Sequence, residues 1–305
     1  MKFLRQDVLS EVEAGEVGQF DVSFIGRDDL DDRSRHSARL SRAAARRSCT
    51  VRYDAAAFTL SVDGHALSVN DLEDLFRSVR ARSILLDATT LEFPEILYIL
   101  AAYRMQSPRP RCGFFYVEPQ GYKLKESNAH VVPGSAFDLS QGFKDRHSLP
   151  PFTRLLSEAN KAHLIAFLGF EGDRLMRELD SDDGFFYRQV SIVFGIPPFQ
   201  PSWDLHALMA HSSLLDRPNT NILYCGANNP LSAYRLLRDA HQGLGAGDLN
   251  RLVVAPFGTK PMALGVALYC LDHDVLSPIY DFPMRKPDRT YGVNRRHWYE
   301  IEMNG

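Results

Sequence analysis

Cysteine is scarce in this chain: four in 305 residues. Cys49, Cys112, Cys225 and Cys270 are scattered and form no C-x-x-C pair. That spacing speaks against a zinc site and against a disulfide framework. Three of the four lie in apolar strand or helix stretches and read as buried thiols in a reducing compartment, so a cytoplasmic location is expected. Long hydrophobic runs are also missing. None reaches the roughly 18 residues of a membrane span, and residues 1–7 carry no apolar segment of the signal-peptide kind. No membrane association is therefore expected. Neither sign of charge dominates, with 35 Lys and Arg against 38 Asp and Glu. Wholesale coating of nucleic acid or of an anionic membrane is not implied by that balance. The Walker A, G-x-G-x-x-G and H-E-x-x-H motifs are absent, as are paired carboxylates on one helix face. No catalytic residue and no metal ligand is assigned on these grounds, and an enzymatic role is disfavoured.

What is present is an ordinary globular composition, 45% hydrophobic and 24% charged, at a length suited to two domains. Short apolar strands alternate with helical patterns, the mark of βαβ units on a mostly parallel sheet. In the first half strands are predicted at about 20–25, 49–53, 83–87 and 113–117, with a hairpin inserted near 51–62. Helices are predicted there at about 36–46, 70–80 and 93–105. In the second half the strands fall at about 163–168, 190–195, 221–226, 251–256 and 275–280, and the helices at about 171–179, 203–215, 230–241 and 260–272. A connector rich in Pro, Ser, Lys and Asn lies between, with a short helix expected at 152–159.

The halves share an order of elements. A strand ending at Gly26 matches one ending at Gly169. The strand before Asp87-Ala88-Thr89-Thr90 matches the one before Cys225-Gly226-Ala227-Asn228, and each leads to a Pro-started helix, at Pro94 and at Pro230. The strand ending at Pro119 matches the one ending at Pro256. The fold expected is α/β: two tandem Rossmann-like domains with mostly parallel sheets, related by an internal duplication. The boundaries read as 1–125 for the first domain, 126–160 for the connector and 161–305 for the second.

Ligands of open parallel sheets bind beyond the carboxyl ends of the strands. In the second half that rule selects the segments at 169–174, 195–199, 225–229 and 257–260. The strongest is Gly258-Thr259-Lys260. An apolar strand precedes it, and Pro261, suited to the first turn of a helix, follows. Thr259 or Gly258 can cap that helix, and the positive end of its dipole, with Lys260 beside it, suits a phosphate. Gly226, Asn228 and Asn229 can admit and read a base or ribose, although Asn229 equally suits a helix cap. Gly169 ends its strand beside the site, and Glu171, Asp173 and Arg174 can orient a ribose, act as acid/base groups, or form a solvated helix start. Trp203 and Phe199 can stack on a base or pack in the core. Gly195-Ile196-Pro197-Pro198-Phe199 reads as a rigid apolar wall, and Cys225 does not read as a nucleophile. The tail at 285–296 holds five Arg and Lys residues. Arg285 and Lys286 can clamp phosphates, and the segment can touch nucleic acid or be an exposed hairpin. His297 has no evident carboxylate partner. In the first half the corresponding loop has no apolar helix behind it, so a single site would lie in the second half.

The strand followed by Gly258-Thr259-Lys260-Pro261-Met262 and an apolar helix resembles the ligand loop of CARF domains, the cyclic-oligonucleotide sensors of prokaryotic antiviral defence. Phe257 stands where those domains often carry a further glycine, and no attached effector domain is evident. The resemblance implies a Rossmann-type fold over about 160–285, Thr259 and Lys260 on ligand phosphates, and a dimer. The function expected is a nucleotide- or phosphoester-sensing regulatory subunit, with no cofactor beyond such a ligand and a homodimer or larger complex as its assembly. The alternatives are an enzyme acting on a nucleotide in the same pocket, and a protein–protein scaffold subunit.

Overall fold

The structure, a computed structural model, describes residues 1–10, 17–125, 136–144, 149–153, 161–182, 186–244, 251–273 and 277–303. The chain forms two compact units, Met1–Tyr122 with Arg285–Gly305, and Lys123–Met284.

The first unit comprises β1 (Lys2–Leu9), β2 (Phe20–Ile25), α1 (Asp32–Ala43), β3 (Ala45–Asp54), β4 (Thr59–Val62), β5 (His65–Ser68), α2 (Glu73–Ser78), β6 (Ser83–Asp87), α3 (Phe93–Arg104), β7 (Arg111–Val117) and β8 (Gly121–Tyr122), joined at the end of the chain by β16 (Thr290–Tyr291) and β17 (Arg296–Glu302). Its eight-stranded sheet runs β1-β17-β7-β6-β2-β3-β4-β5. The strands β7, β6, β2 and β3 are parallel, and the flanks are antiparallel. The central strands β2 and β6 are buried along almost their whole length, which is why they read as continuous apolar runs. Helix α3 is buried nearly all round. It starts in a capping box of Glu92 and Glu95, with Pro94 in its first turn.

Strand β17 lies between β1 and β7, with Trp298 opposite Phe115. Trp298 is buried and packs on Phe20 at 5.7 Å between ring centroids. The expected second domain, 161–305, is corrected here: residues 285–305 belong to the first unit. The reason is that the apolar face of β17 is completed by the first sheet.

The second unit comprises β9 (Ser140–Phe143), β10 (Ala162–Phe167), α4 (Asp173–Asp182), β11 (Tyr187–Gly195), α5 (Trp203–Ala210), α6 (Ser212–Leu215), β12 (Thr220–Cys225), α7 (Pro230–Gln242), β13 (Leu252–Pro256), α8 (Lys260–Asp272), β14 (Ser277–Pro278) and β15 (Pro283–Arg285), where the chain leaves the unit. Its sheet is parallel throughout, in the order β12-β11-β10-β13-β14. The chain starts in the middle at β10, builds outward to β12, then crosses to β13 on the other side. This is the Rossmann-like order, with its reversal between β10 and β13.

The α/β class is as expected and the second sheet is parallel, but the first is mixed, with four antiparallel pairings against three parallel. Strands and helices alternate in both units, but the two sheets differ in strand order. Strand β6 pairs directly with β2, whereas its counterpart β12 lies beyond β11 at the sheet edge. The single helix expected over 203–215 is two, α5 and α6, broken at His211. The helix expected at 152–159 falls outside the described residues from 154 onward, as do 275 and 276 of the strand expected at 275–280.

Candidate functional site

The strand order reverses between β10 and β13, and the loops beyond their carboxyl ends lie side by side. On one side is Gly169. On the other are Phe257, Gly258 and the start of α8. The two loops approach closely enough that a Cβ on Gly169 would stand 3.1 Å from the Phe257 carbonyl oxygen. Thr259 is the N-cap of α8, with extended backbone, and its Oγ1 accepts from the Met262 amide at 3.3 Å. The same hydroxyl donates to the Ala227 carbonyl, which ties the β13 loop to the β12 loop. The loop after β12 is in turn stitched to that after β11: the Ile196 amide donates to the Cys225 carbonyl at 2.8 Å and the Ala227 amide to the Pro197 carbonyl at 3.1 Å. The segments selected from the sequence around 169, 195, 226 and 258 therefore lie together on one edge of one sheet.

The roles within that edge differ from those expected. Asn229 is a helix cap: its Oδ1 accepts from the Ser232 amide at 2.9 Å at the start of α7. Arg174 is a strut. It is 3% exposed, grips the Asp281 carboxylate side-on, donates to the Phe257 carbonyl at 3.1 Å and lies 4.4 Å over the Phe257 ring. These contacts engage its guanidinium within the protein and brace the loop after β13. Glu171 sits 3.9 Å from Arg174 and takes part in the same support. Trp203 packs edge-on against Phe170 at 5.8 Å. Burial pushes the Cys225 thiol up to about 12, so it holds no thiolate at neutral pH.

Arg285, expected beside the second-half loops, stands elsewhere. It belongs to the first unit, where its Nε stands 3.8 Å from Glu92 Oε1. Of the basic residues in the tail, Arg289 is buried, Arg285, Lys286 and Arg296 are half-buried, and Arg295 is exposed. An exposed cationic strip is thus not what the tail forms. His297 does have a carboxylate partner: Glu118 Oε2 stands 3.2 Å from its Nε2, both side chains being buried. In the first unit the strand-end cluster Asp87-Ala88-Thr89-Thr90 is an internal polar knot. Ser37 donates to Asp87 Oδ1 at 2.6 Å, Thr89 Oγ1 accepts from the Val117 amide at 2.9 Å, and Thr90 Oγ1 accepts from the Gly26 amide at 2.9 Å.

Two groups of residues were missed. His211 breaks the helix expected over 203–215 because its ring turns to donate from Nε2 to the Gly169 carbonyl at 3.2 Å. Burial pushes it down to about 4, so the imidazole is neutral and Nδ1 has no partner. Arg33 and Arg289 are buried in the first unit. The signal for Arg33 was present in α1, whose inward positions are Arg33, Ser34, Ser37, Ala38 and Ser41 in place of large apolar residues.

The fold defines an α/β protein whose second unit carries a parallel sheet of Rossmann-like strand order. No protein-family model matches this chain, and no curated protein matches its sequence. Among the described residues no helix is long and apolar enough to cross a membrane, and no group of three or more His, Cys, Asp or Glu is arranged to hold a metal ion.

Proposed function

We propose that the second unit takes the phosphate of a nucleotide or related phosphoester at the loops beyond the carboxyl ends of β10 and β13, and that the protein acts as a sensing or regulatory subunit. One observation carries this reading: the strand order reverses where the Gly258-Thr259-Lys260 loop and the start of α8 lie. The cap geometry narrows it. Pro261 has no N–H and the Met262 amide is held by Thr259, so the first turn offers few amide donors and the charge of Lys260 becomes the main attraction. Thr259 acts through the cap and the tie to Ala227. The resemblance to CARF domains makes cyclic oligonucleotides the first ligands to try and a prokaryotic defence system the setting.

Calorimetry and thermal unfolding with cyclic oligoadenylates, ATP and NAD test this on wild type and Lys260→Ala. One ligand should stabilise the wild type by about 3 kcal/mol at about 100 times its Kd, and Lys260→Ala should weaken it tenfold or more. No response to any of them, or an equal response in Lys260→Ala, removes the reading. Conversion of the ligand, followed by chromatography, would favour the enzyme alternative.

Assembly is a second reading, and β12 favours it. This strand is a sheet edge, and Ile222 and Tyr224, two apart on one face, are 39% and 56% exposed. Open edges bearing apolar side chains pair readily with another chain. A homodimer in light scattering, reduced to monomer by Tyr224→Lys, would support pairing through β12. A monomer at all concentrations would end it.

A further inference from the structure

The geometry points to a second anion site, built wholly from the first unit: Arg289, Arg33 and Arg285 gather at the carboxyl ends of β2, β6 and β7 to receive a dianionic phosphate group. The strand order β3-β2-β6-β7 also reverses in this sheet, between β2 and β6, so the cluster lies where ligands of parallel sheets bind.

The tail places Arg289 there. On one side of it the Asp288 amide donates to the Leu30 carbonyl, in the loop after β2. On the other side Thr290 donates to Asp31 and pairs with Tyr122 in β8. Further on, Asn294 and Glu118 tie the tail to the end of β7. Arg289 is thus fixed by its neighbours on both sides and is 7% exposed. Among the described residues its guanidinium makes no hydrogen bond or ion pair, and its Nε is buried without a partner. Arg33 comes from α1, donates to the Val117 carbonyl at 3.2 Å and to the Tyr116 hydroxyl at 3.3 Å, and stands 3.5 Å from Asp31. Arg285 lies against Glu92, at the start of α3.

Among the described residues, Asp31 stands beside Arg33 and Glu92 faces both Arg285 and Arg289, while Glu118 is engaged by His297 and Asn294. Burial opposes the charge of Asp31, but Arg33, Ser34 and Thr290 outweigh it and keep the carboxylate ionised. Burial, with Arg285 and Arg33 adding to it, pushes Arg289 down to about 10, which still leaves it charged at neutral pH. A buried guanidinium with no acceptor has lost its water and gained nothing. Its planar fork matches the oxygens of a phosphate, and a phosphate monoester carries the charge this cluster lacks.

The test uses the full chain in phosphate- and sulfate-free buffer, titrated with inorganic phosphate and with AMP, on wild type, Arg289→Met, Arg289→Lys and Lys260→Ala. If the site takes a phosphate, one or both probes raise the melting temperature of wild type and of Lys260→Ala. Response to AMP alone assigns an esterified phosphate, and response to phosphate alone assigns the free ion. Arg289→Met should bind at least tenfold more weakly and melt at or above the wild-type temperature without ligand, because it relieves an uncompensated buried charge. Arg289→Lys should keep part of the response. The proposal is overturned if neither probe acts on wild type, if Arg289→Met responds equally, or if Arg289→Met is unstable without ligand, since that outcome makes Arg289 a structural residue.

Discussion

Arg174 and Asp281 meet side-on, with Nε 2.9 Å from Oδ2 and Nη2 2.5 Å from Oδ1, in a site where the arginine is 3% and the aspartate 16% exposed. Removing one partner of such a pair leaves the other buried and uncompensated, at about 3 kcal/mol or more. Arg174→Met should therefore lower the urea stability of the second unit by that amount. Arg174→Lys should recover little of it, because one ammonium cannot serve both Asp281 oxygens and the Phe257 carbonyl together. A loss below about 0.5 kcal/mol would show that the pair is no strut.

Asp87 gives the first unit a pH dependence of unusual sign. Burial pushes its carboxyl from 3.8 up to about 6, against the opposing bonds from Ser37, Thr90 and Thr89. The folded state then binds a proton that the unfolded state releases, so stability is fullest below about pH 4 and is lost as pH rises to about 6. The amount is on the order of 3 kcal/mol. Asp87→Asn removes the titration and should flatten this part of the stability–pH curve. An unchanged slope between pH 4 and 6 would contradict the assignment.

His211 acts in the opposite direction in the second unit. Burial lowers it from 6.5 to about 4, so the unfolded state takes up a proton first. Its contribution is present above about pH 6.5 and is lost as pH falls towards 4. His211→Gln keeps an N–H donor for Gly169 and removes the titration. It should hold the second unit's stability level across that window, measured by tryptophan fluorescence of Trp203. A wild-type slope in the variant would exclude His211 as its source.

These groups show what the sequence could and could not convey. Strand ends were legible because apolar runs stop at glycine or at polar residues, and the helix starts were legible from Pro94, Pro230 and Pro261. The grouping of the strand-end loops was legible for the same reason, since it depends on local pattern. Partners distant in sequence were not. Nothing local joins Arg174 to Asp281, or His297 to Glu118, so a strut looked like a ligand arm and a paired histidine looked unpaired. The tail was assigned to the wrong unit because β17 reads as a strand wherever it pairs, and only its long-range register with β1 and β7 decides its place. The basic segment at 285–296 read as a phosphate clamp, a nucleic-acid contact or an exposed hairpin, and burial of Arg289 depends on the bonds that residues 288 and 290 make to the loop after β2.

Gly265 sets how closely α8 can lie against α7, and two opposing effects meet there. Alanine is a better helix former than glycine by about 1 kcal/mol in an exposed helix interior. At this position, however, a Cβ would stand 2.3 Å from the Pro230 carbonyl oxygen and 2.8 Å from the Ala233 Cβ. The nearer atom is backbone at the start of α7 and cannot swing aside as a side-chain end would. Overpacking of this kind costs about 1–3 kcal/mol, which exceeds the propensity gain. Gly265→Ala should therefore destabilise the second unit by about 1 kcal/mol or more. Because α8 begins at Lys260, the helix that yields is the one bearing the proposed phosphate loop. A variant that remains folded should bind its ligand more weakly than wild type in the same calorimetric titration. Stabilisation by Gly265→Ala would show that the two helices can part without strain, and would remove the packing constraint from the account of this site.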